Sequence, residues 1–384
     1  MLYPAPSMVT DYLSNMPTVE VGYTLKNIQE VLESQQTAGN NKYTEMCETW
    51  LEREHMVQRC MLTPSCTAAL EMCAMLLDLP KGSEIILPSF TFVTTASAFA
   101  LHGLVPVYVD VQASDLNIDP EKIEEAITPK TGAICVVHYA GVACNMQAIV
   151  EIANKHELPL IEDAAQCVLS SYGGKPLGSF GDLATLSFHQ TKNISCGEGG
   201  ALLINNPAYI DRAEMIREKG TNRRQFLEGR VQAYQWECLG SSFLMSDVTA
   251  AYLWSQLSFA HIVTKWRRRK WKYMMAAFAP LEAENILRLA DISPEAEHNG
   301  HIFFFILKDE KYRPLIQKRF GEAEIKSAFH YQPLHLSKGG AVGRAHGDLP
   351  NTIEAGKCLL RIDLDTQPKK VDEAVAIIRE VVKP

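Results

Sequence analysis

Six short apolar runs constrain this chain more than any other feature. They are EIILPS (84–89), VPVYVD (105–110), GAICVVHY (132–139), LPLIED (158–163), ATLSFH (184–189) and GALLIN (200–205). Each is short for a helix and long enough for a strand. Around them lie TAALEMCAMLLDL (67–79), TTASAFALHG (94–103), PEKIEEAI (120–127) and MQAIVEIANKHE (146–157), which carry apolar residues at helical spacing. Strand and helix in alternation predict an α/β fold built on a mostly parallel sheet. From about residue 246 a long helical stretch, SDVTAAYLWSQLSFAHIVTKWRRRKWKYMMAAFAPL, would lead out of that unit. HIFFFILKD (301–309), SAFHYQPLH (327–335) and a closing helix VDEAVAIIREVV (371–382) then read as a second, smaller α/β domain. The expected division is a large domain over 1–257, including an N-terminal arm, and a small domain over 258–384.

Size and charge narrow the function. A chain of 384 residues, 47% hydrophobic, can build two cores. Its net charge of −8 argues against nucleic acid or an anionic membrane surface as a partner. No apolar run approaches the length of a membrane span, and the opening MLYPAPSMVTDYLSNM has no leader pattern, so a cytoplasmic location is expected. The ten cysteines form no CxxC pair and are expected to be buried thiols, with no metal site. KWRRRKWK (265–272) is expected to be a solvated helix face, and GGKPLGSFG (173–181) lacks the GK[ST] of a phosphate-binding loop.

In open parallel sheets, ligands bind at the carboxyl ends of the strands. LTPSCTAALEM (62–72) sets Ser65, Cys66 and Thr67 at the start of a helix, where free amides favour a phosphate. PSFTFVTTA (88–96) puts Phe90 and Phe92 at a strand end, IEDAAQ (161–166) puts Asp163 there, and SFHQTKN (187–193) adds Ser187 and Lys192. An anion cradle, an aromatic face, a carboxylate and a lysine together match the needs of pyridoxal phosphate. A non-catalytic phosphate-binding module remains the alternative.

These segments, with VHYAGVACNM, GEGG, REKGTN and GSSFLMSDVTAAYLW, resemble the sugar-nucleotide aminotransferases of pyridoxal-phosphate fold type I, the aspartate-aminotransferase-like fold. The resemblance runs from about residue 35 to the C-terminus and is densest between 62 and 257. It is greatest to the members that aminate a dTDP-4-keto-6-deoxyhexose at C4, which implies a dTDP-sugar substrate, L-glutamate as donor and a homodimer. Amination at C3, or of a UDP-linked sugar, is the nearer alternative. The related 3-dehydratases carry histidine where this chain has Lys192.

Carried over position by position, the resemblance makes Lys192 the cofactor-anchoring lysine and Asp163 the partner of the pyridine nitrogen. Gln166 would lie by the phenolic oxygen, Phe92 would stack on the ring, and Ser187 with the backbone of Cys66 and Thr67 would hold the phosphate. His189 takes the family's active-site histidine position, with a structural role as its alternative. Ser242 stands where many relatives place an asparagine that reaches the neighbouring subunit's phosphate; its alternative is to cap the long helix of its own chain. Arg223, Arg224 and Arg230 are candidates for the diphosphate, and His330, Tyr331 and His335 for the hexose. RIDLD (361–365) departs from the family's apolar run, which is expected to affect only packing in the small domain.

Overall fold

The computed structural model describes residues 17–383; the opening stretch read above for a leader lies outside them. The chain enters through two helices, α1 (Val21–Ser34) and α2 (Lys42–His55), that lead to the first strand, β1 (Arg59–Thr63). There follow α3 (Cys66–Leu77), β2 (Glu84–Pro88), α4 (Thr94–Leu101), β3 (Val105–Val109), α5 (Pro120–Ala126), β4 (Thr131–Val137), α6 (Met146–Lys155) and β5 (Leu160–Asp163). A short hairpin, β6 (Ser171–Tyr172) and β7 (Lys175–Pro176), precedes β8 (Leu183–Ser187) and β9 (Gly200–Ile204). All six apolar runs are strands. Every residue of β2, β5, β8 and β9 is buried, as strands covered on both faces require.

One strand is not among those the alternation picks out. RCMLT begins on a charged residue and directly follows the polar helix α2, yet it pairs antiparallel with β9 as β1. The large sheet has the order β1-β9-β8-β5-β4-β2-β3-β14, where β14 is Arg344–Ala345 from the C-terminal part of the chain. Only β9 runs against its neighbours on both sides; β8, β5, β4, β2, β3 and β14 are parallel. The expected mostly parallel sheet is therefore present.

After α7 (Ile210–Arg217) and α8 (Arg223–Leu227), the long helical stretch is two helices, α9 (Asp247–Leu257) and α10 (Ala260–Ala283). The Ser258 hydroxyl donates to the Trp254 carbonyl at 2.8 Å, the oxygen that its own amide also uses, and the helix breaks there. The KWRRRKWK face is only partly solvated: Trp266 and Lys270, one helical turn apart, are buried, and Arg267 turns inward to the Gly300 and His301 carbonyls.

A second sheet has the order β10 (Leu287–Leu289), β12 (Phe303–Leu307), β15 (Leu359–Ile362) and β13 (Ser327–Ala328), and all its pairings are antiparallel. The strand β11 (Ala296–Glu297) instead joins the β6–β7 hairpin, and α11 (Tyr312–Glu322), α12 (Pro350–Cys358) and α13 (Pro368–Val382) complete the chain. Alternation along β12 decides how the two sheets meet. Phe303 and Phe305 pack on Phe278 of α10, with ring centroids 5.0 and 5.3 Å away. Phe304, on the opposite face, meets Tyr139 of the large unit at 5.3 Å. Tyr139 also contacts Phe90 and Tyr331, so an aromatic cluster joins the second sheet to the strand ends of the first. Aromatic pairs of this kind add about 0.5–1.5 kcal/mol each beyond their buried area.

Candidate active site

The carboxyl ends of β2, β4, β5 and β8 open into a cavity of about 580 Å³. Asp163 is the last residue of β5 and Ser187 the last of β8, on adjacent parallel strands. Lys192 sits in the excursion that joins β8 to β9, two antiparallel neighbours that leave the sheet together at Ser187 and Gly200. The excursion is held by its own backbone: Gln190 N donates to Gly197 O at 2.8 Å and Lys192 N to His189 O at 2.9 Å. Its arms are fixed, so the lysine at its tip points back over the strand ends and lines the cavity with Asp163.

The opposite wall is the start of α3. The Ser65 hydroxyl caps the helix by accepting from Ala68 N at 3.1 Å, and its carbonyl takes Ala69 N. That leaves the amides of Cys66 and Thr67, both in the cavity wall, for an anion. The approach is close because of Gly200, where a Cβ would come within 2.3 Å of Cys66 N. The GEGG turn thus serves proximity: only a glycine lets β9 pass under this helix end. Cys66 lies at the cavity wall with its thiol 3.4 Å from the Thr185 hydroxyl. GGKPLGSFG does bind a negative charge, but an internal one. The amides of Gly178, Phe180 and Gly181 all donate to the buried Glu162 carboxylate, whose other partner is His138 at 2.9 Å.

Burial sets the charges. It pushes the Asp163 carboxyl up, while the Thr95 hydroxyl at 2.8 Å and the Ala165 amide at 3.2 Å pull it back down. Burial also pushes the Lys192 ammonium below its usual value, against the opposing pull of Cys66 and Asp163. His301 is held well below the normal imidazole range by burial and by Lys192 and Arg267, and His330 is brought down to about 3 by burial, Arg361 and Lys192. Both line the cavity, and both are neutral at physiological pH. Gln166 is fixed by accepting from Ala140 N at 2.7 Å and donating to the Tyr331 hydroxyl at 3.3 Å. Tyr331 stacks on His330, centroids 4.2 Å apart, and burial pushes its phenol up to about 12.

Of the residues nominated from sequence, the cavity gathers Lys192, Asp163, Gln166, Ser187, Phe92, Cys66, Thr67, His189, His330 and Tyr331. Phe92 is 56% exposed at the rim, whereas Phe90 is buried in the aromatic cluster. His189 reaches the Thr191 hydroxyl at 2.9 Å and Glu198 at 3.6 Å. The set fits pyridoxal phosphate: amides and a hydroxyl for the phosphate, an acid for the ring nitrogen, an aromatic face and a lysine amine.

Other nominees are elsewhere in this chain. Arg223 pairs with Glu218 at 3.3 Å, Arg224 with Glu214 and Glu228 at 3.0 and 2.9 Å, and Arg230 with Asp211 and Glu228 at 3.0 and 2.8 Å. None of the three lines the cavity of its own chain. His335 is likewise outside, bound to the Ser89 hydroxyl at 2.7 Å. Ser242 is exposed and away from the cavity in its own chain. It does not cap the helix; Ser246 does, accepting from Thr249 N at 3.2 Å.

Two basic residues of the cavity wall, His301 and Arg361, escaped the sequence reading. His301 precedes β12, with no motif around it. Arg361 belongs to the RIDLD run that was expected to matter only for packing. On β15 it pairs with Phe304, so it shares the face that looks toward the large unit. Alternation with the buried Leu360 and Ile362 was the available signal.

Comparison with known proteins finds relatives along nearly the whole chain. The DegT/DnrJ/EryC1/StrS aminotransferase family matches residues 20–381. The uncharacterized protein MJ1066 of Methanocaldococcus jannaschii is 32% identical over 328 residues, 83% of each chain. The spore coat polysaccharide biosynthesis protein SpsC of Bacillus subtilis is 28% identical over 371 residues, 93% of this chain and 95% of that one. Among solved structures, the aminotransferase TlmJ from Streptoalloteichus hindustanus superposes with a TM-score of 0.86 at 25% identity, covering 96% of this chain and 98% of that one.

Proposed function

The chain belongs to the DegT/DnrJ/EryC1/StrS aminotransferase family and is a pyridoxal-phosphate-dependent sugar aminotransferase of fold type I, and from that premise we propose that it aminates a dTDP-4-keto-6-deoxyhexose at C4. L-Glutamate is the amino donor in this reading, and the product is the dTDP-4-amino-4,6-dideoxyhexose of galacto configuration. The observation that carries it is the placement of Lys192 and Asp163 in one cavity at the ends of adjacent strands. The likeness of the quoted segments to C4-aminating members supports the sugar and the position, and the polysaccharide role in the name of SpsC agrees with a sugar substrate.

Bound pyridoxal phosphate supplies an electron sink that lets a proton leave the donor carbon and return at the sugar carbon. The rest is the work of this chain's side chains. Asp163, held by the Thr95 hydroxyl and the Ala165 amide, would set its carboxylate against the ring nitrogen. The Lys192 amine, disfavoured as an ammonium by burial, is available to take and give a proton at the reacting carbon. Neutral His301 and His330 keep further positive charge away from it. Phe92 and Tyr331, ring centroids 6.5 Å apart, line one side of the cavity. A C2 homodimer, with Ser242 reaching the partner's site, belongs to the same proposal.

Purified protein incubated with dTDP-4-keto-6-deoxyglucose and L-glutamate should yield 2-oxoglutarate and one amino sugar, whose C4 configuration is read by NMR. Amine at C3, or turnover only with a UDP-linked sugar, would replace this substrate assignment.

A further inference from the structure

The basic run KWRRRKWK has an outer half besides its buried one. Lys265, Arg268, Arg269 and Lys272 of α10 line a cavity of about 450 Å³ that shares no residue with the catalytic one. The three-stranded sheet of β11, β6 and β7 also contributes to its wall, through Ser171, Pro176 and Glu297. Glu54, at the end of α2, lines it as well. The outer half of the run thus faces a cavity shared with other elements, where a solvated helix face was expected.

Four Lys and Arg side chains meet two carboxylates there, Glu54 and Glu297. Each of the four stands three or four residues from two of the others, the spacing at which like charges on a helix repel. Glu297 pairs with Arg268, while Glu54 is engaged by Arg53 at 2.8 Å and His261 at 3.3 Å. Lys265 and Lys272 have no carboxylate at ion-pair distance among the described residues. A second observation comes from Thr264, which lines the same cavity. It is buried, and its hydroxyl has no hydrogen-bond partner among the described residues. The repulsive stripe and the unpartnered hydroxyl each raise the free energy of the fold, and one anion with several oxygens relieves both.

We propose that this cavity binds a diphosphate, free or carried by a small organic molecule, at a site separate from the catalytic one. Phosphate oxygens accept hydrogen bonds from both ammonium groups and from the Thr264 hydroxyl, and charge strengthens those bonds. Lys265 and Lys272 are seven residues, about 10 Å, apart along the helix axis, a span that two linked phosphates suit better than one. The volume falls within the range of small-molecule sites, about 300–1,000 Å³. Leu169 and Pro176 in the wall give an organic group an apolar contact. The net charge of −8 selects a small anion here over a nucleic acid, whose long backbone would meet an acidic surface beyond the cavity.

Calorimetry of the cofactor-loaded protein with pyrophosphate and with ADP tests the site without reference to turnover. K265Q/K272Q should weaken pyrophosphate binding about tenfold or more, with the Tm and the visible absorbance of the bound cofactor unchanged. T264V should weaken it about threefold or more and melt no lower than the wild type, because valine removes the unpartnered hydroxyl. A hydroxyl with a structural role alone would leave binding unmoved. K318Q/K369Q removes the same charge from two exposed lysines outside the cavity, and its affinity should stay within about twofold of the wild type, since salt screens distant charges. Tighter binding of ADP than of pyrophosphate assigns the site to an organic diphosphate, and equal affinities assign it to the inorganic ion. No binding by the wild type, unchanged affinity in K265Q/K272Q, or an equal loss in K318Q/K369Q would overturn the proposal.

Discussion

Thr95, buried in the first turn of α4, donates its hydroxyl to Asp163 Oδ2 across 2.8 Å. Two elements distant in sequence meet at one carboxylate, and the hydroxyl favours its charged form against burial. A hydrogen bond to a charged group contributes about 1.5–3 kcal/mol. Thr95→Val should therefore weaken retention of pyridoxal phosphate by about tenfold or more, measured by equilibrium dialysis, while Thr95→Ser retains it. Equal affinity in Val and Ser variants would show that Asp163 needs no such support.

Removing the lysine should separate chemistry from stability. Lys192→Ala is expected to abolish transamination. Burial already disfavours the ammonium in the folded chain, so the apo-protein should melt at the same temperature or higher. Calorimetry of the apo-form alongside a turnover assay checks both, and a clear drop in Tm would mean that the amine holds the loop together.

Gly200→Ala tests the passage of β9 beneath α3. The new methyl would meet Cys66 N and the Ser65 carbonyl carbon at 2.3 Å, so the helix start must move. Overpacking of this kind costs about 1–3 kcal/mol, and phosphate-dependent cofactor affinity should fall with it. Gly321→Ala is the control: nothing lies within 4 Å of its Cβ position in α11, and stability should be unchanged or gain about 0.5–1 kcal/mol. Chemical denaturation of both variants gives the comparison.

Acid should destabilise the protein before its carboxylates titrate. Burial lowers the folded-state value of His298 to about 4, below an unfolded value near 6.5. Between those values the unfolded chain binds the proton and the folded one does not, so stability is present above the unfolded value and falls as pH drops through the window. The slope from one such group cannot exceed about 1.4 kcal/mol per pH unit. Urea melts at pH 7 and pH 5 should show the loss, and His298→Gln should flatten part of it. A pH-independent midpoint in the wild type would contradict a neutral buried His298.

Mixing two inactive variants, Lys192→Ala and a bulky substitution at Ser242, tests the shared site. Ser242 is exposed and remote from its own cavity, so any role at a phosphate must be in the partner's. A heterodimer carrying both lesions in one site leaves the other whole, and activity should reappear. No recovery, once subunit exchange is confirmed, would leave Ser242 without a catalytic role; a monomer in light scattering would end the dimer proposal.

Much of this protein was legible in its sequence because the signals were local. A strand buried on both faces reads as a continuous apolar run, and the residue that ends it stands at a fixed place on the rim, so Asp163, Ser187 and the loop bearing Lys192 followed from chain order. RCMLT was missed as a strand because an edge pairing with β9 leaves little trace in five residues. The three arginines of 223–230 lie outside the cavity of their own chain, paired with carboxylates. In chain order only Glu228 stands out as a partner, for Arg224 and Arg230, and folding brought Glu214, Glu218 and Asp211 within reach as well. Arg361 is the converse case. Alternation along β15 separates its two faces, but whether a face meets packed side chains or a cavity depends on how the second sheet docks on the first. The sequence by itself thus determined six strands of the large sheet, their ends and the side chains gathered at those ends. Only the tertiary structure decided which charges are neutralised and which remain open to a ligand, because ion pairing and burial are set by distances between segments that the order of residues does not contain.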